Sequence, residues 1–178
     1  MNGNPAKRVL AVIAFERFRD EEYLVPREAF EQAGVGVTTC ASSLGTASGK
    51  LGAQVEVDVR LADAGPDEYD AVVFVGGPGS KDYWDDETAH ALARAFDEAG
   101  KLVCAICSAP IILARAGLLD GRAATCFEDD RAELERGAAA YTGAEVTMDG
   151  TFITASGPAA AAAFAHTIVE RLGAGTVA

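Results

Sequence analysis

The chain has 178 residues, with 27 acidic side chains against 15 basic ones and a formal net charge of −12. This acidic balance argues against nucleic acid or an anionic membrane surface as a partner. No stretch approaches the roughly 20 apolar residues that a membrane-spanning helix needs. We expect a single domain over residues 1–178, with free thiols in the cytoplasm, because the four cysteines follow no evident secretory signal.

Apolar runs and turn residues predict a series of strands along the chain. Most of these runs are short and continuously apolar, which is typical of strands covered on both faces. Residues 54–60 instead alternate between valine and polar side chains, which predicts a half-exposed strand at a sheet edge or in a small hairpin. The predicted strands are residues 9–14, 36–40, 54–60, 71–75, 102–106, 123–127, 145–148 and 152–155.

Helical patterns separate these strands. The first helix is expected to end at Ala33, with Leu24, Val25, Ala29, Phe30 and Ala33 facing inward. Other helices are expected from an Asp85 or Asp86 cap to Gly100, from residue 109 to Gly117, over 129–136, and from Gly157-Pro158 onward. This alternation predicts a three-layer α/β sandwich, with a mainly parallel central sheet flanked by helices in a flavodoxin-like arrangement.

The segment from 101 to 113, KLVCAICSAPIIL, places Cys107 between a buried strand and a helix. Only Cys107 and Ser108 separate the two, which predicts a nucleophile elbow with sulfur in place of oxygen. The nearby helix start is expected to lower the pKa of the thiol. The alternative is a buried cysteine that merely ends a strand.

Two other strand ends should lie beside Cys107, because the carboxyl ends of parallel strands share one sheet edge. In the Gly76-Gly77-Pro78-Gly79 run, the Gly77 amide is expected to form an oxyanion hole with the amide of Ser108; the alternative is a plain turn. Glu22 follows the first strand. Beside a thiolate and partly desolvated, it is expected to stay protonated and act as general acid and base. Alternatively, it is an ordinary acid of a first helical turn.

The remaining reactive side chains add little. His90 is expected on the outer face of its helix, and His166 lies out of phase with the apolar stripe of the last one. Cys104 and Cys107 form a C-x-x-C, but Cys104 falls inside the strand, too far from Cys107 for an undistorted disulfide. No residue set has zinc-ligand spacing. We therefore expect no metal and no cofactor.

These motifs together resemble the ThiJ/PfpI superfamily, which has a class I glutamine amidotransferase-like fold. The matching segments cover nearly the full chain: Phe18-Arg19-Asp20-Glu21-Glu22-Tyr23 with Pro26, Val75-Gly76-Gly77-Pro78-Gly79, Ala105-Ile106-Cys107-Ser108-Ala109-Pro110, and Thr154-Ala155-Ser156-Gly157-Pro158. The resemblance implies that Cys107 and Glu22 are catalytic and that the Gly77 and Ser108 amides bind an oxyanion. It further implies a substrate pocket near Gly76, Ser156, Gly157, Pro158 and Cys126, and at least a homodimer.

The chain also departs from this pattern. Ser108 stands where PfpI-type proteases carry histidine, and Lys81 stands near the position of their acidic partner. The deglycase branch has a histidine at a position that falls in the alanines of residues 138–140, and an arginine where Ser156 stands.

The resemblance therefore implies a cysteine-dependent enzyme on small reactive carbonyls, of the glutathione-independent glyoxalase or deglycase type. Alternatives are an isonitrile-type hydratase that uses the same pair, a non-enzymatic oxidative-stress sensor or chaperone with an oxidisable Cys107, and an intracellular peptidase.

Overall fold

A computed structural model describes residues 6–175, so residues 1–5 and 176–178 of the predicted domain lie outside the described part. Its main sheet has seven strands in the order β11-β12-β8-β7-β1-β3-β6. All neighbours pair in parallel except β11, which runs antiparallel to β12. The strands of this sheet are β1 (Arg8–Val12), β3 (Gly36–Ala41), β6 (Val59–Arg60), β7 (Ala71–Phe74), β8 (Leu102–Ile106), β11 (Val146–Asp149) and β12 (Phe152–Ala155).

Five α-helices accompany this sheet, and they lie on both of its faces. Helices α1 and α5 pack together over one apolar cluster, whereas α2 and α3 pack over the other and α4 packs on α3. The helices are α1 (Asp20–Gln32), α2 (Glu87–Glu98), α3 (Pro110–Arg115), α4 (Arg131–Arg136) and α5 (Ala161–Leu172). The predicted three-layer α/β sandwich with a mainly parallel sheet is confirmed.

The order of the parallel strands locates a cleft. Among the five longer parallel strands, β3 lies on one side of β1, whereas β7, β8 and β12 follow on the other. This is the flavodoxin-like order, in which successive connections go to opposite sides of β1, so the switch point lies between β1 and β7. The carboxyl ends of β1, β7 and β8 therefore meet beside this switch point, at the edge where the predicted site residues lie.

Short strands form two smaller sheets that the sequence predicted only in part. Strands β2 (Glu16–Phe18), β4 (Gly45–Gly49) and β5 (Gln54–Val57) form one, and β9 (Ala123–Ala124) and β10 (Ala140–Tyr141) form the other. The half-exposed character predicted for residues 54–60 is confirmed, but the segment is divided at Asp58: β5 belongs to a hairpin with β4, and β6 is an edge strand of the main sheet. Strands β2 and β4 lie in segments for which the sequence predicted no strand.

The inward face predicted for α1 is confirmed for Phe30, which is buried, and for Ala29 and Ala33, which pack on the core. It is wrong for Leu24 and Val25. Leu24 and Val25 are exposed by 46% and 37%, whereas Glu22, Tyr23 and Pro26 are buried. The helix is rotated so that an acid, and not an aliphatic pair, points at the sheet edge. By contrast, the inward residues predicted for α5, Phe164, Ala165, Ile168, Val169 and Leu172, are all buried. No helix within residues 6–175 has the length and apolar character to cross a bilayer.

Candidate active site

Cys107 lies at the end of β8 in a strained backbone conformation. Its φ is 64°, a left-handed value that a non-glycine residue rarely adopts. Backbone hydrogen bonds hold it on both sides: its N–H donates to Ala155 O over 2.9 Å, and its carbonyl accepts from Phe127 N–H over 2.8 Å. A third bond, from Trp84 Nε1 to the carbonyl of Ser108, spans 2.8 Å. This is the geometry of a nucleophile elbow.

The glycines that follow β7 allow the acid and the elbow to approach each other. A Cβ on Gly76 would lie 2.6 Å from Glu22 Oε2 and 2.7 Å from the Cβ of Cys107. Gly77 has a φ of 104°, and a Cβ there would lie 2.3 Å from the backbone nitrogen of Arg19. A side chain at either position would therefore push Glu22 or its helix away from the sulfur.

Glu22 is fully buried beside Cys107, with only half of its carboxyl group satisfied. Oε2 accepts a 2.9 Å hydrogen bond from the N–H of Gly76. Oε1 has no hydrogen-bond partner within residues 6–175. Burial raises the pKa of Glu22 to about 8, although the neighbouring Cys107 thiol and the Gly76 N–H oppose the shift. If Oε1 carries the proton of the neutral acid, it can donate a hydrogen bond to the Cys107 sulfur.

The thiol does not have the lowered pKa that its position suggested. Burial, followed by the charge of Glu22, raises the pKa of Cys107 to about 12. Helix α3 has only six residues and begins three positions after Cys107, so its dipole does not outweigh desolvation. Since the two groups interact, their proton losses belong to the pair. Within the pair the carboxyl of Glu22 loses its proton before the thiol, since its raised pKa of about 8 still lies below that of about 12 for Cys107.

A pocket of about 260 Å³ opens over the sulfur. Of the predicted residues, Cys107, Ser108, Gly77 and Pro158 line it. The amides of Gly77 and Ser108 donate to no backbone carbonyl within the described residues, and the Ser108 amide lies beside the Cys107 sulfur. Both are candidates for binding a ligand oxygen. The pocket is lined by Arg19, Lys50, Gly77, Pro78, Lys81, Cys107, Ser108, Phe127, Asp129, Asp130 and Pro158.

Four residues predicted at the pocket do not line it: Gly76, Ser156, Gly157 and Cys126. Gly76 N–H is taken by Glu22, and Ser156 N–H by the carbonyl of Glu145. Cys126 is fully buried, and its Sγ donates to the carbonyl of Phe127, the neighbour that does line the pocket. Burial raises the pKa of the Cys126 thiol to about 12.

The sequence reasoning missed the charged part of the wall: Arg19, Lys50, Lys81, Asp129 and Asp130. Asp130 is only 5% exposed and accepts a hydrogen bond from the Ser108 hydroxyl. Residues 128–131 carry four consecutive charges, so the sequence gives no signal that singles out Asp130. Arg19 is bonded at the pocket edge to Glu21.

The helical pattern predicted His90 on the outer face of α2, and this prediction is wrong. It is 4% exposed, and its Nε2 lies 2.8 Å from the carbonyl of Trp84. It thus supports the residue that in turn bonds the elbow. His166 is exposed, as expected from its phase. Among residues 6–175, no three His, Cys, Asp or Glu side chains are grouped to hold a metal ion.

The fold and this site define an α/β-sandwich protein with a cysteine at the elbow beside the switch point. A model of the DJ-1/PfpI family matches residues 7–171, and the chain belongs to that family. An uncharacterised protein of Methanocaldococcus jannaschii is 39% identical over 93% of this chain and 82% of its own length. A deglycase of Pyrococcus horikoshii is 32% identical over 93% of this chain and 99% of its own length.

Solved structures show the same likeness. The ThiJ/PfpI domain protein from Brachyspira murdochii is 34% identical, with a TM-score of 0.93 over 96% of this chain and 98% of that chain. Drosophila melanogaster DJ-1beta is 29% identical, with a TM-score of 0.85 over 94% of this chain and 90% of that chain.

Proposed function

We propose that this chain is a cysteine-dependent enzyme that converts small 2-oxoaldehydes, such as methylglyoxal, into 2-hydroxy acids. Relatives are named deglycases and, in Bacillus subtilis, a putative cysteine protease, which supports a DJ-1/PfpI-type enzyme in general. The observation that carries the finer proposal is the half-satisfied Glu22 carboxyl. It lies outside the pocket lining, but it is buried beside a strained cysteine that does line the pocket.

The first step is addition of sulfur to the aldehyde. The reactive form is the minor tautomer of the pair, in which the thiol proton has passed to Glu22 and the sulfur is a thiolate. As the C–S bond forms at the aldehyde carbon C1, the carbonyl electron pair moves to its oxygen O1. The amides of Gly77 and Ser108 stabilise the charge, and Glu22 gives its proton to O1, leaving a hemithioacetal.

Glu22 then moves a hydrogen between the two carbons. Its carboxylate removes the proton from C1, and the electron pair forms a C1=C2 double bond while the ketone pair moves to O2. Returning that proton to C2, with transfer of the O1 proton to O2 as the C1=O bond re-forms, gives a 2-hydroxy thioester on Cys107. Water attacks C1 with Glu22 as base, the C–S bond breaks, and the thiolate and neutral acid are restored. The net reaction consumes one water and releases a 2-hydroxy acid.

The test is loss of methylglyoxal with formation of lactate by the purified protein. Cys107→Ala should lower the turnover by at least about 10³-fold, because the covalent route is removed. Cys40→Ala is a matched control, since Cys40 is also buried and burial raises its pKa to about 12, but it is outside the pocket lining. Turnover by Cys107→Ala at the wild-type rate would exclude the proposal.

The same assay separates the alternatives. Intact mass after mild peroxide would show two added oxygens on Cys107 if the protein were an oxidant sensor, and methylglyoxal would then persist. Parallel incubation with an isonitrile and with a peptide substrate tests the hydratase and peptidase alternatives. Either reaction without methylglyoxal turnover would replace the proposal.

A further inference from the structure

Asp130 is a buried acid at the N-cap position of α4, but its side chain does not cap that helix. It immediately precedes α4 as the N-cap residue, a position where aspartate normally accepts a backbone N–H of the first turn. Here it makes no side-chain capping bond. Its Oδ2 instead accepts a 2.6 Å hydrogen bond from Ser108 Oγ, in the residue next to the nucleophile.

This bond is part of the pocket wall. Both Ser108 and Asp130 line the pocket, and each is only 5% exposed. The other carboxyl oxygen of Asp130 lies 3.6 Å from Lys81 Nζ, so the buried acid faces a cation on one side and a hydroxyl on the other. A carboxylate buried to this degree is costly unless such partners compensate it.

The direction of the bond leaves the serine oxygen available. The Ser108 hydroxyl donates to Asp130, so the lone pairs of Oγ are available on the pocket side. Ser108 also lies close enough to Cys107 for its hydroxyl to interact with the thiol. A group bound to the sulfur is therefore within reach of this oxygen, with a carboxylate behind it to accept a proton.

We propose that Ser108 and Asp130 form a second proton-transfer pair, which moves the hydroxyl proton of the bound intermediate while Glu22 moves the carbon-bound hydrogen. The inference rests on the proposed function. Ser108 touches the substrate and is the catalytic member, whereas Asp130 acts through it. This side-chain role is additional to the Ser108 backbone amide.

The step balances without another reactant. After Glu22 has removed the C1 hydrogen, O1 still carries a proton and O2 is negative. Ser108 Oγ accepts the O1 proton while its own proton passes to Asp130 Oδ2. The O1 electron pair re-forms the C1=O bond, and C2 takes its hydrogen from Glu22. Asp130 then returns its proton through Ser108 to O2, so the pair ends as it began.

The test compares Ser108→Ala, Asp130→Asn and the double variant on methylglyoxal. Asp130→Asn keeps an oxygen for the serine hydroxyl to bond but takes up protons poorly. We expect kcat to fall about 100-fold in each single variant, with KM within about threefold, because one proton-transfer group is lost. The double variant should be no slower than Ser108→Ala, since the two residues act as one unit.

A second readout distinguishes this role from a structural one. Addition of Cys107 to the aldehyde does not need the relay, so Asp130→Asn should accumulate a covalent methylglyoxal adduct that intact mass spectrometry detects. Alkylation of Cys107 by iodoacetamide should stay within about threefold of wild type, because the elbow is unchanged. Glu128→Gln, an exposed acid of the same turn that does not line the pocket, is the matched control and should keep wild-type kcat.

The outcomes separate the two proposals. No lactate from the wild-type protein overturns the proposed function and this inference with it. Wild-type turnover with an unchanged kcat in Asp130→Asn overturns the relay alone, as does a double variant slowed by the product of both single effects. Loss of kcat together with the accumulated adduct supports the relay.

Discussion

The start of α1 contains two buried acids with opposite surroundings. Asp20 is 6% exposed, and both of its oxygens accept backbone N–H groups, from Leu51 over 2.9 Å and from Ala53 over 2.8 Å. Glu22 is fully buried, yet only one of its oxygens has a partner, the N–H of Gly76. Two residues apart on one helix, the first acid is completely satisfied and the second is not.

The difference teaches what each acid contributes. Asp20 bonds two N–H groups in and beside the turn between β4 and β5, so its burial stabilises the fold. Glu22 leaves an oxygen that no neighbouring N–H or O–H satisfies, which costs stability and leaves that oxygen free for a proton, a thiol or a substrate. Complete pairing therefore indicates a structural acid, and incomplete pairing beside a cysteine indicates a chemical one.

The largest expected effect is on activity at Glu22. Glu22→Gln keeps the size and the Gly76 bond but removes the transferable proton, so kcat on methylglyoxal should fall about 100-fold or more. The free energy of unfolding near pH 4.5 should change by less than about 1 kcal/mol, because the replacement is isosteric and the pH-dependent part of the difference develops only above this pH. Steady-state kinetics and chemical denaturation measure the two quantities.

Glu28→Gln is the matched control for this substitution. Glu28 lies on the same helix but is exposed, with a hydrogen bond to Gln32 and no part in the pocket. It should leave both kcat and stability unchanged. Wild-type kcat in Glu22→Gln would contradict the proposed role of Glu22 in proton transfer. Its burial with one unpaired oxygen would then have no catalytic explanation.

A smaller effect is expected at Asp20, where substitution should lower stability and leave kcat nearly unchanged. In Asp20→Asn, one of the two N–H donors must face an NH₂ group, so the free energy of unfolding should fall by about 1–3 kcal/mol. In a chain of this size such a loss lowers Tm by roughly 2–12 °C. At 25 °C kcat should stay within about threefold, since Asp20 does not line the pocket.

Thermal unfolding followed by circular dichroism, with kcat measured on the same samples, checks this expectation. A large loss of kcat with unchanged Tm would contradict the division between the two acids, because it would give Asp20 the behaviour expected of Glu22.

The sequence predicts the elbow well because the elbow is local. A buried strand, Cys107-Ser108 and the start of a helix follow one another within thirteen residues, so strand and helix patterns alone indicate the turn. The predicted strand at 102–106 coincides with β8. Of the two caps offered for α2, Asp85 or Asp86, it is Asp86 that accepts the Ala89 N–H over 2.9 Å. Glu22 is identified through the family motifs, because the helical pattern alone does not distinguish it from an ordinary acid of a first helical turn.

The rest of the site depends on tertiary placement, which local patterns do not encode. Leu24 and Val25 look like core residues, but the approach of Glu22 to the sheet edge fixes the rotation of α1 and leaves them exposed. Asp130 reaches Ser108 across 22 positions of sequence. The lowered thiol pKa was expected from a helix start alone, whereas the opposing desolvation depends on residues from several elements.

The smallest expected effect is the change in the free energy of unfolding with each pH unit. It tests the comparison of the two acids at Glu22. Its folded pKa, raised to about 8 by burial, exceeds its ordinary value of 4.5. The neutral acid therefore contributes stability that is fully present below pH 4.5 and is lost as pH rises through 8. As pH rises within this window, wild type should lose stability relative to Glu22→Gln by on the order of 1 kcal/mol per pH unit.

Urea denaturation of both proteins from pH 5 to 9 measures this difference in unfolding free energy. Taking the difference cancels the contributions of titratable groups that both proteins share. A pH-independent difference would mean that Glu22 ionises in the folded protein as it does in water, and the proton needed for the first chemical step would be absent.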